Sequence, residues 1–300
     1  MTAVTQYFGI GGDVPFVDVD IHADTRLFLD PHRIRLDKGD SPYKWDAIAC
    51  LDSFFELMSR LVMGSLRADA IRGISLLSQF HEPAETHLGM AGYGFHGHGG
   101  AGGLGHGLWD VLAHDLNALF AVGILRHLED LPLFIRGVDR DITSDITTRI
   151  CYSALAAFTL EMMRKYPQLT SGGTSVQVME KPVWDPKAGV WARVQIELPS
   201  VEGSALLLVP KAWVGKSLLM SARRFYGVSV LGHIQDLRVL PGPDGASGKP
   251  TKKALMKEWG LRDVVRTNYT AVNEARAVDV DLLEAFRRYV SSRQDVRPIA

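Results

Sequence analysis

SVQVMEKPVWDPKAGVWARVQIELPSVEGSALLLVPK, residues 175–211, is where the character of the chain changes. Three apolar stretches, 175–183, 190–198 and 205–209, are rich in Val, Ile, Leu and Trp, and DPKAG (185–189) and SVEG (200–203) separate them. β-branched and aromatic residues favour a pleated backbone, and clusters of Asp, Pro, Ser and Gly favour tight reversals. The stretch therefore predicts a three-stranded antiparallel sheet with hairpin connections. Upstream, the apolar spacing is helical. KWDAIACLDSFFELMSRLVMGSL (44–66) aligns Ile48, Leu51, Phe54, Phe55, Met58, Leu61 and Val62 on one stripe. Residues 108–128 and 144–166 read as two more long helices, the second capped by Thr143 or Ser144 with Asp145 in its first turn. Residues 16–29 read as short strands or extended chain, 70–77 as a short helix or strand, and 211–224 as helix. Helices finish the chain after the loop PGPDGASGKP (241–250), the last capped by Asp279 or Asp281.

The expected fold class is α+β, mainly helical, with a small antiparallel sheet in the second half. Three regions follow: a helical part over 1–170 carrying a Gly/His-rich loop at 89–107, a sheet-plus-helix part over 171–240, and a linker with helices over 241–300. A single compact domain is the alternative division.

Composition narrows the function classes. With 46% hydrophobic and 22% charged residues, the 300-residue chain has ample material for a core. No apolar run approaches the roughly 20 residues that span a bilayer, so no membrane partner is expected. The opening MTAVTQYFGIGGD lacks the basic and apolar regions of a signal peptide. Cys50 and Cys151 sit in apolar helical patterns and read as buried thiols, which fits a cytoplasmic location. The net charge of −1 hides an asymmetry. Residues 1–210 hold 17 Lys and Arg against 25 Asp and Glu, a net of −8, and residues 211–300 hold 16 against 9, a net of +7. Such a split marks either a polyanion-facing end or two halves that attract each other.

The candidate chemistry lies in four places. GMAGYGFHGHGGAGGLGHG (89–107) contains ten glycines and three histidines. Gly97, Gly99, Gly100, Gly102, Gly103 and Gly105 could expose backbone N–H groups to a phosphate, with a helix N-terminus just beyond. GAGGLG (100–105) has the GxGxxG spacing, although no clear strand precedes it. His96, His98 and His106 are candidate metal ligands, and His106, Asp110 and His114 share one helical stripe. The plainer readings are a surface loop and a solvated face. The second place is DLPLFIRGVDRDITSDITT (130–148), where Asp139, Asp141 and Asp145 crowd a helix start. Carboxylates so placed hold Mg²⁺ or Mn²⁺, or simply cap the helix. The third is DVDIHADTRLFLDP, where Asp18, Asp20, His22, Asp24 and Asp30 form either a polar strand face or turns. The fourth is Lys211 at the end of an apolar strand. It is similar to the lysine of PD-(D/E)xK nucleases, which implies a role in orienting water. Val209 stands where that pattern has a carboxylate, leaving Glu197 on the neighbouring strand as the substitute.

Taken together, DTRLFLDP, the glycine loop, LPLFIRGVDRDITSD and LLLVPK resemble an uncharacterised bacterial family. Its members carry a DT-x-LF-(I/L)-DP opening, a Gly-rich middle, an acidic helix start and an LLVPK strand. The resemblance spans roughly residues 16–211 and implies a phage-defence or mobile-element setting, but no established activity. It favours a nucleic-acid- or nucleotide-directed protein, such as a divalent-metal phosphodiesterase or nuclease. Asp141 and Asp145 would hold the metal, Lys211 would act at the phosphate and the basic C-terminal part would attract the polyanion. The rival expectation is a non-catalytic assembly, sensor or phage accessory subunit that binds a protein partner, or its own copies, through the Gly-rich loop.

Overall fold

A computed structural model describes residues 2–81, 83–90, 103–121, 123–171, 176–241, 247–259 and 263–293. With 57% helix and 13% strand, the chain is α+β and mainly helical, with its small antiparallel sheets concentrated in the second half. In chain order the first elements are α1 (Val4–Phe8), β1 (Phe28–Leu29), α2 (Pro31–Leu36), α3 (Pro42–Met63) and α4 (Arg67–Leu77). Next come α5 (Gly103–Asp110), α6 (Asn117–Ala121), α7 (Arg140–Ile150) and α8 (Tyr152–Lys165). Then follow β2 (Val176–Asp185), β3 (Val190–Val201), β4 (Ser204–Ala205) and β5 (Val214–Gly215). The chain continues with α9 (Ala222–Phe225), α10 (Leu231–Leu237), the β6 (Leu240–Pro241)–β7 (Ser247–Gly248) pair, α11 (Lys252–Trp259), α12 (Val264–Arg276) and α13 (Leu282–Ser292). Among the described residues no helix is long and apolar enough to cross a membrane.

The β2–β3 hairpin forms as the alternation predicts, with ten paired positions from Val176↔Pro199 to Asp185↔Val190. Asp185 makes its turn by accepting the amides of Lys187 (2.9 Å) and Ala188 (3.0 Å). At the tip Trp184 and Trp191 lie against Phe54 of α3, with Trp184 edge-on to Phe54 at 4.9 Å. The indole Nε1 of Trp184 donates to Ser53 Oγ at 2.9 Å. Helix α3 runs where the apolar stripe places it and buries Leu51, Phe54, Phe55, Met58, Leu61 and Val62.

Several local expectations change. The third strand pairs over Ser204–Ala205 only. Leu207 N–H then donates to Glu85 O (2.7 Å), Leu208 N–H to Thr159 Oγ1 (3.0 Å) and Val17 N–H to Val209 O (2.8 Å). This segment is uniformly apolar because it is buried among different neighbours, not because it is a ladder strand. The expected helix at 211–224 is instead a single 3₁₀ turn followed by β5, which pairs with β1. Of the strands or extended chain expected at 16–29, only β1 forms a strand, and the rest carries isolated bridges. The helix expected at 144–166 begins at Arg140 and is divided at Cys151, whose backbone leaves helical geometry. Its cap is Asp139, since the carboxylate accepts Asp141 N–H at 3.0 Å, and Thr143 and Ser144 lie buried one turn further in. The helix expected at 108–128 starts earlier, inside the glycines, and is broken by a widened π-turn at Val111–Asp115.

Two glycines explain how α4 and α5 close on each other. A Cβ on Gly105 would stand 2.5 Å from Ser78 Oγ and 2.8 Å from its backbone nitrogen, and a Cβ on Gly73 would run into the Trp109 ring. Gly73→Ala is expected to lower stability by about 1–3 kcal/mol through overpacking, and urea denaturation against the parent chain measures it. An unchanged midpoint would mean the Trp109 ring swings clear at no cost.

Candidate functional site

The first turn of α7 gathers three distant pieces of chain. Arg140 lies over the Phe28 ring at 4.7 Å and donates to Lys216 O at 3.2 Å. Its neighbour Asp141, largely buried, accepts the Met90 amide at 3.1 Å. Leu29 N–H donates to Ser144 Oγ at 2.9 Å. The DTRLFLDP segment closes around the same place. Thr25 N–H donates to His87 O (2.8 Å) and Thr25 O accepts Gly89 N–H (3.1 Å). Asp30 caps α2 through His32 N–H (2.9 Å) and takes Leu219 N–H (2.7 Å). Burial pushes the Asp30 carboxyl up from its ordinary range. DTRLFLDP, the first residues of the glycine-rich segment and the acidic helix start thus meet in one junction, where polar side chains join segments of backbone, whereas LLLVPK is bonded to Val17, Glu85 and Thr159 instead.

The candidate catalytic residues have these surroundings. Asp145, one turn beyond Asp141, is partly buried and interacts within the fold. Lys211 opens the 3₁₀ turn after Val209 and pairs with Asp13 at 2.6 Å. The hydrogen bond and charge of Lys211 hold the Asp13 carboxyl below its ordinary range. Glu197 is exposed on the hairpin, opposite Val178. Asp18 binds Thr5 through its N–H (2.8 Å) and hydroxyl (2.6 Å), and Asp20 accepts His22 N–H (3.1 Å), so both act as turn and cap residues. Exposed His22 lies 3.5 Å from Glu202, and Asp24 is exposed. Gly103 starts α5 and is exposed, Gly105 packs on Ser78, and His106, Asp110 and His114 are exposed. Gly97, Gly99, Gly100, Gly102, His96 and His98 lie outside the described residues. Among the described residues no group of three His, Cys, Asp or Glu side chains is gathered to hold a metal ion.

Two features escaped the sequence reading. The first is a buried ionic network. Glu129, 1% exposed, accepts Arg35 Nε at 2.6 Å and lies 3.4 Å from His32 Nδ1. Arg35 also reaches Asp52 at 2.6 Å. Burial raises the Glu129 carboxyl, but the His32 hydrogen bond and the charges of Arg35, His127 and His32 outweigh it, holding the group well below its ordinary range. Next to it, Asp130 accepts Arg126 N–H (2.9 Å), His127 N–H (3.0 Å) and Arg287 Nη2 (2.5 Å). Arg287 stands on α13, so this pair ties the basic C-terminal helices to the rest of the chain. The clue was LED (128–130) amid apolar residues, where charged groups must be paired if buried.

The second feature is an open groove of about 630 Å³ between α4 and the hairpin tip. Ile71, Arg72 and Ser75 line one wall and Val190, Trp191 and Arg193 the other. Ile71 is 60% and Val190 43% exposed. Trp191 Nε1 donates to Leu76 O at 3.1 Å and Arg72 donates to Gly189 O at 3.2 Å, so the two walls are fastened together. Met63 and Leu66 extend the exposed apolar surface at the start of α4. The arrangement offers a rigid, partly apolar seat rather than a reacting centre.

No curated protein and no solved structure matches the chain. A family model described as a domain of unknown function, DUF8370, matches residues 11–221. That span holds the motif junction, the Glu129 network and both walls of the groove, and it stops just before α9, where the helices tied on through Arg287 begin. The chain belongs to the DUF8370 family.

Proposed function

We propose that the chain is a non-catalytic assembly or sensor subunit that holds a protein partner on the surface formed by α4 and the β2–β3 hairpin. The observation that carries this reading is the groove with Ile71 and Val190 exposed at its walls. Large apolar side chains grouped at a rigid concave surface mark an interaction site. The engagement of Asp139 as a cap, Asp141 on Met90 and Lys211 on Asp13 supports it, because these groups already have work in holding the fold.

A second reading, nucleic-acid binding with metal-dependent cleavage, draws on the +7 net charge of residues 211–300. Arg224 and Arg293 also flank the Tyr289 ring at 5.9 and 5.6 Å, a basic-aromatic grouping of the kind that contacts single strands.

One pair of experiments separates the readings. A benzophenone-bearing residue in place of exposed Ser75 should cross-link a protein partner in the producing cell, and the same label on α11, at Lys257, should not. Purified chain incubated with single- and double-stranded DNA and RNA, with Mg²⁺, Mn²⁺ or chelator, should leave the polymer intact. Metal-dependent cleavage that disappears in Asp145→Ala would overturn the binding-subunit reading in favour of the nuclease, and equal cross-linking from both positions would remove the groove from it.

A further inference from the structure

We infer that the groove between α4 and the hairpin accepts an acidic amphipathic segment of the partner protein, with its apolar side chains on Ile71, Val190 and Trp191 and its carboxylates on Arg72 and Arg193. The inference rests on the binding-subunit reading and specifies the chemistry of the partner. Charge carries it. Residues 1–210 are net acidic by eight charges, yet the charged side chains lining the groove are Arg72 and Arg193, with no Asp or Glu among the lining residues. A cationic rim maintained against the prevailing sign of the surrounding chain is complementary to an anionic visitor.

Both arginines can receive one. Arg193 is 74% exposed and pairs across the strand with Glu180, itself 53% exposed, at 2.7 Å. Such a solvent-exposed pair is weak and exchanges readily for an incoming carboxylate. Arg72 is exposed and donates from Nη2 to Gly189 O, which leaves its other N–H groups for a carboxylate. Between them the floor is apolar and fixed, because Trp191 is hydrogen-bonded to Leu76 O and rests edge-on against Trp184 at 5.5 Å. The volume of about 630 Å³ is in the range of sites that enclose several side chains. Ala68 and Ser75, small residues beside Ile71, leave α4 open to close approach. Two cations over an apolar floor suit a protein segment better than a nucleic-acid backbone, which calls for a dense row of cations.

The test is a phage-displayed random peptide library selected on the immobilised full chain, followed by fluorescence anisotropy with the synthetic winners. The expected winners interleave Asp or Glu with Leu, Ile, Phe or Trp. They should bind at least tenfold more weakly to Arg193→Glu, to Ile71→Ser and to Ser75→Trp, which fills the groove. The double variant Arg72→Glu/Arg193→Glu should prefer the same peptides with Lys in place of their acids. These positions are exposed, and unchanged thermal melts of the variants confirm that binding, not folding, is being read. Winners that are basic, or that bind all variants equally, would overturn the assignment. So would a self-association or an oligonucleotide binding that Ile71→Ser or Arg193→Glu abolishes, since the groove would then have another occupant. If Ser75 cross-links a partner but no acidic peptide wins, the partner chemistry is wrong and the binding-subunit reading stands. If neither result appears, both fall.

Discussion

Glu129→Ala should destabilise the fold by about 3–5 kcal/mol, the cost of breaking a buried pair and leaving its partner charged and unmatched. The side chain is 1% exposed and sits between Arg35 (2.6 Å) and His32 (3.4 Å). With the carboxylate gone, Arg35 keeps only the half-exposed Asp52 as a counter-charge. Glu129→Gln should fall between the two, because it keeps the shape and one acceptor but loses the charge. Urea unfolding followed by tryptophan fluorescence measures both. A loss under 1 kcal/mol for the alanine variant would show that the network is dispensable.

The same residue fixes the sign of an acid dependence. Its folded carboxyl titrates below the ordinary value of 4.5, so the unfolded chain takes up its proton first as pH falls. The contribution of Glu129 is therefore complete above the ordinary glutamate range. It drains away as pH drops from about 4.5 towards the lower folded value. Asp30 works the other way, since its carboxyl is raised by burial and its ionisation in the fold opposes stability as pH climbs through the ordinary aspartate range and above. Glu129→Gln should flatten the acid limb of stability against pH. A limb as steep as that of the parent would assign acid unfolding to other carboxylates.

Trp184→Ala should cost about 3–5 kcal/mol as well, the range for emptying a large aromatic site. Trp184 is 1% exposed and lies between Phe54 and Trp191. Its removal leaves the tip of the hairpin without its anchor on α3. The loss should therefore reach the groove, because Trp191 is its floor and Trp184 backs Trp191. Trp184→Phe keeps the ring packing and loses the bond to Ser53, so it should cost about 1 kcal/mol and leave peptide binding intact. Denaturation midpoints and binding to the acidic peptides, measured on both variants, check the coupling. Groove binding unaffected by the alanine variant would mean that Leu76 O, Phe54 and Phe80 hold Trp191 without Trp184.

Legibility in the sequence followed the range of the interaction responsible. The hairpin and α3 were readable because period-two alternation, Asp-Pro and Gly turn residues, and a helical apolar stripe all act over a few residues. An aspartate cap for α13 was readable for the same reason, as Asp279 or Asp281, and it is the Asp281 carboxylate that accepts Glu284 N–H at 2.8 Å. Asp139 could be read only as one of several carboxylates that either cap the helix or hold a metal, because Thr143 and Ser144 are equally good caps by residue type. What distinguishes them is that Ser144 is needed in the core, as the acceptor for Leu29 N–H. The apolar run 205–209 imitates a strand because burial on all sides and membership of a sheet select the same side chains. Gly105 lies inside a helix, against its propensity, because close contact with Ser78 at the end of α4 leaves no room for a side chain, whereas Gly103 begins α5 with a positive φ of 67° that favours glycine.

By itself, then, the sequence determined the mainly helical class, helix α3, the β2–β3 hairpin with its tip, and the acidic and basic parts of the chain. Only the tertiary structure decided that the basic part is bound to the acidic one through Arg287 and Asp130, and that Asp139 acts as a cap and Asp141 as a backbone acceptor. It also made the groove. Trp191 and Leu76 are 115 residues apart and meet through a single hydrogen bond. A helix and a hairpin each encode which of their own faces is buried, but which exposed faces come to lie side by side is set by the packing of the whole core.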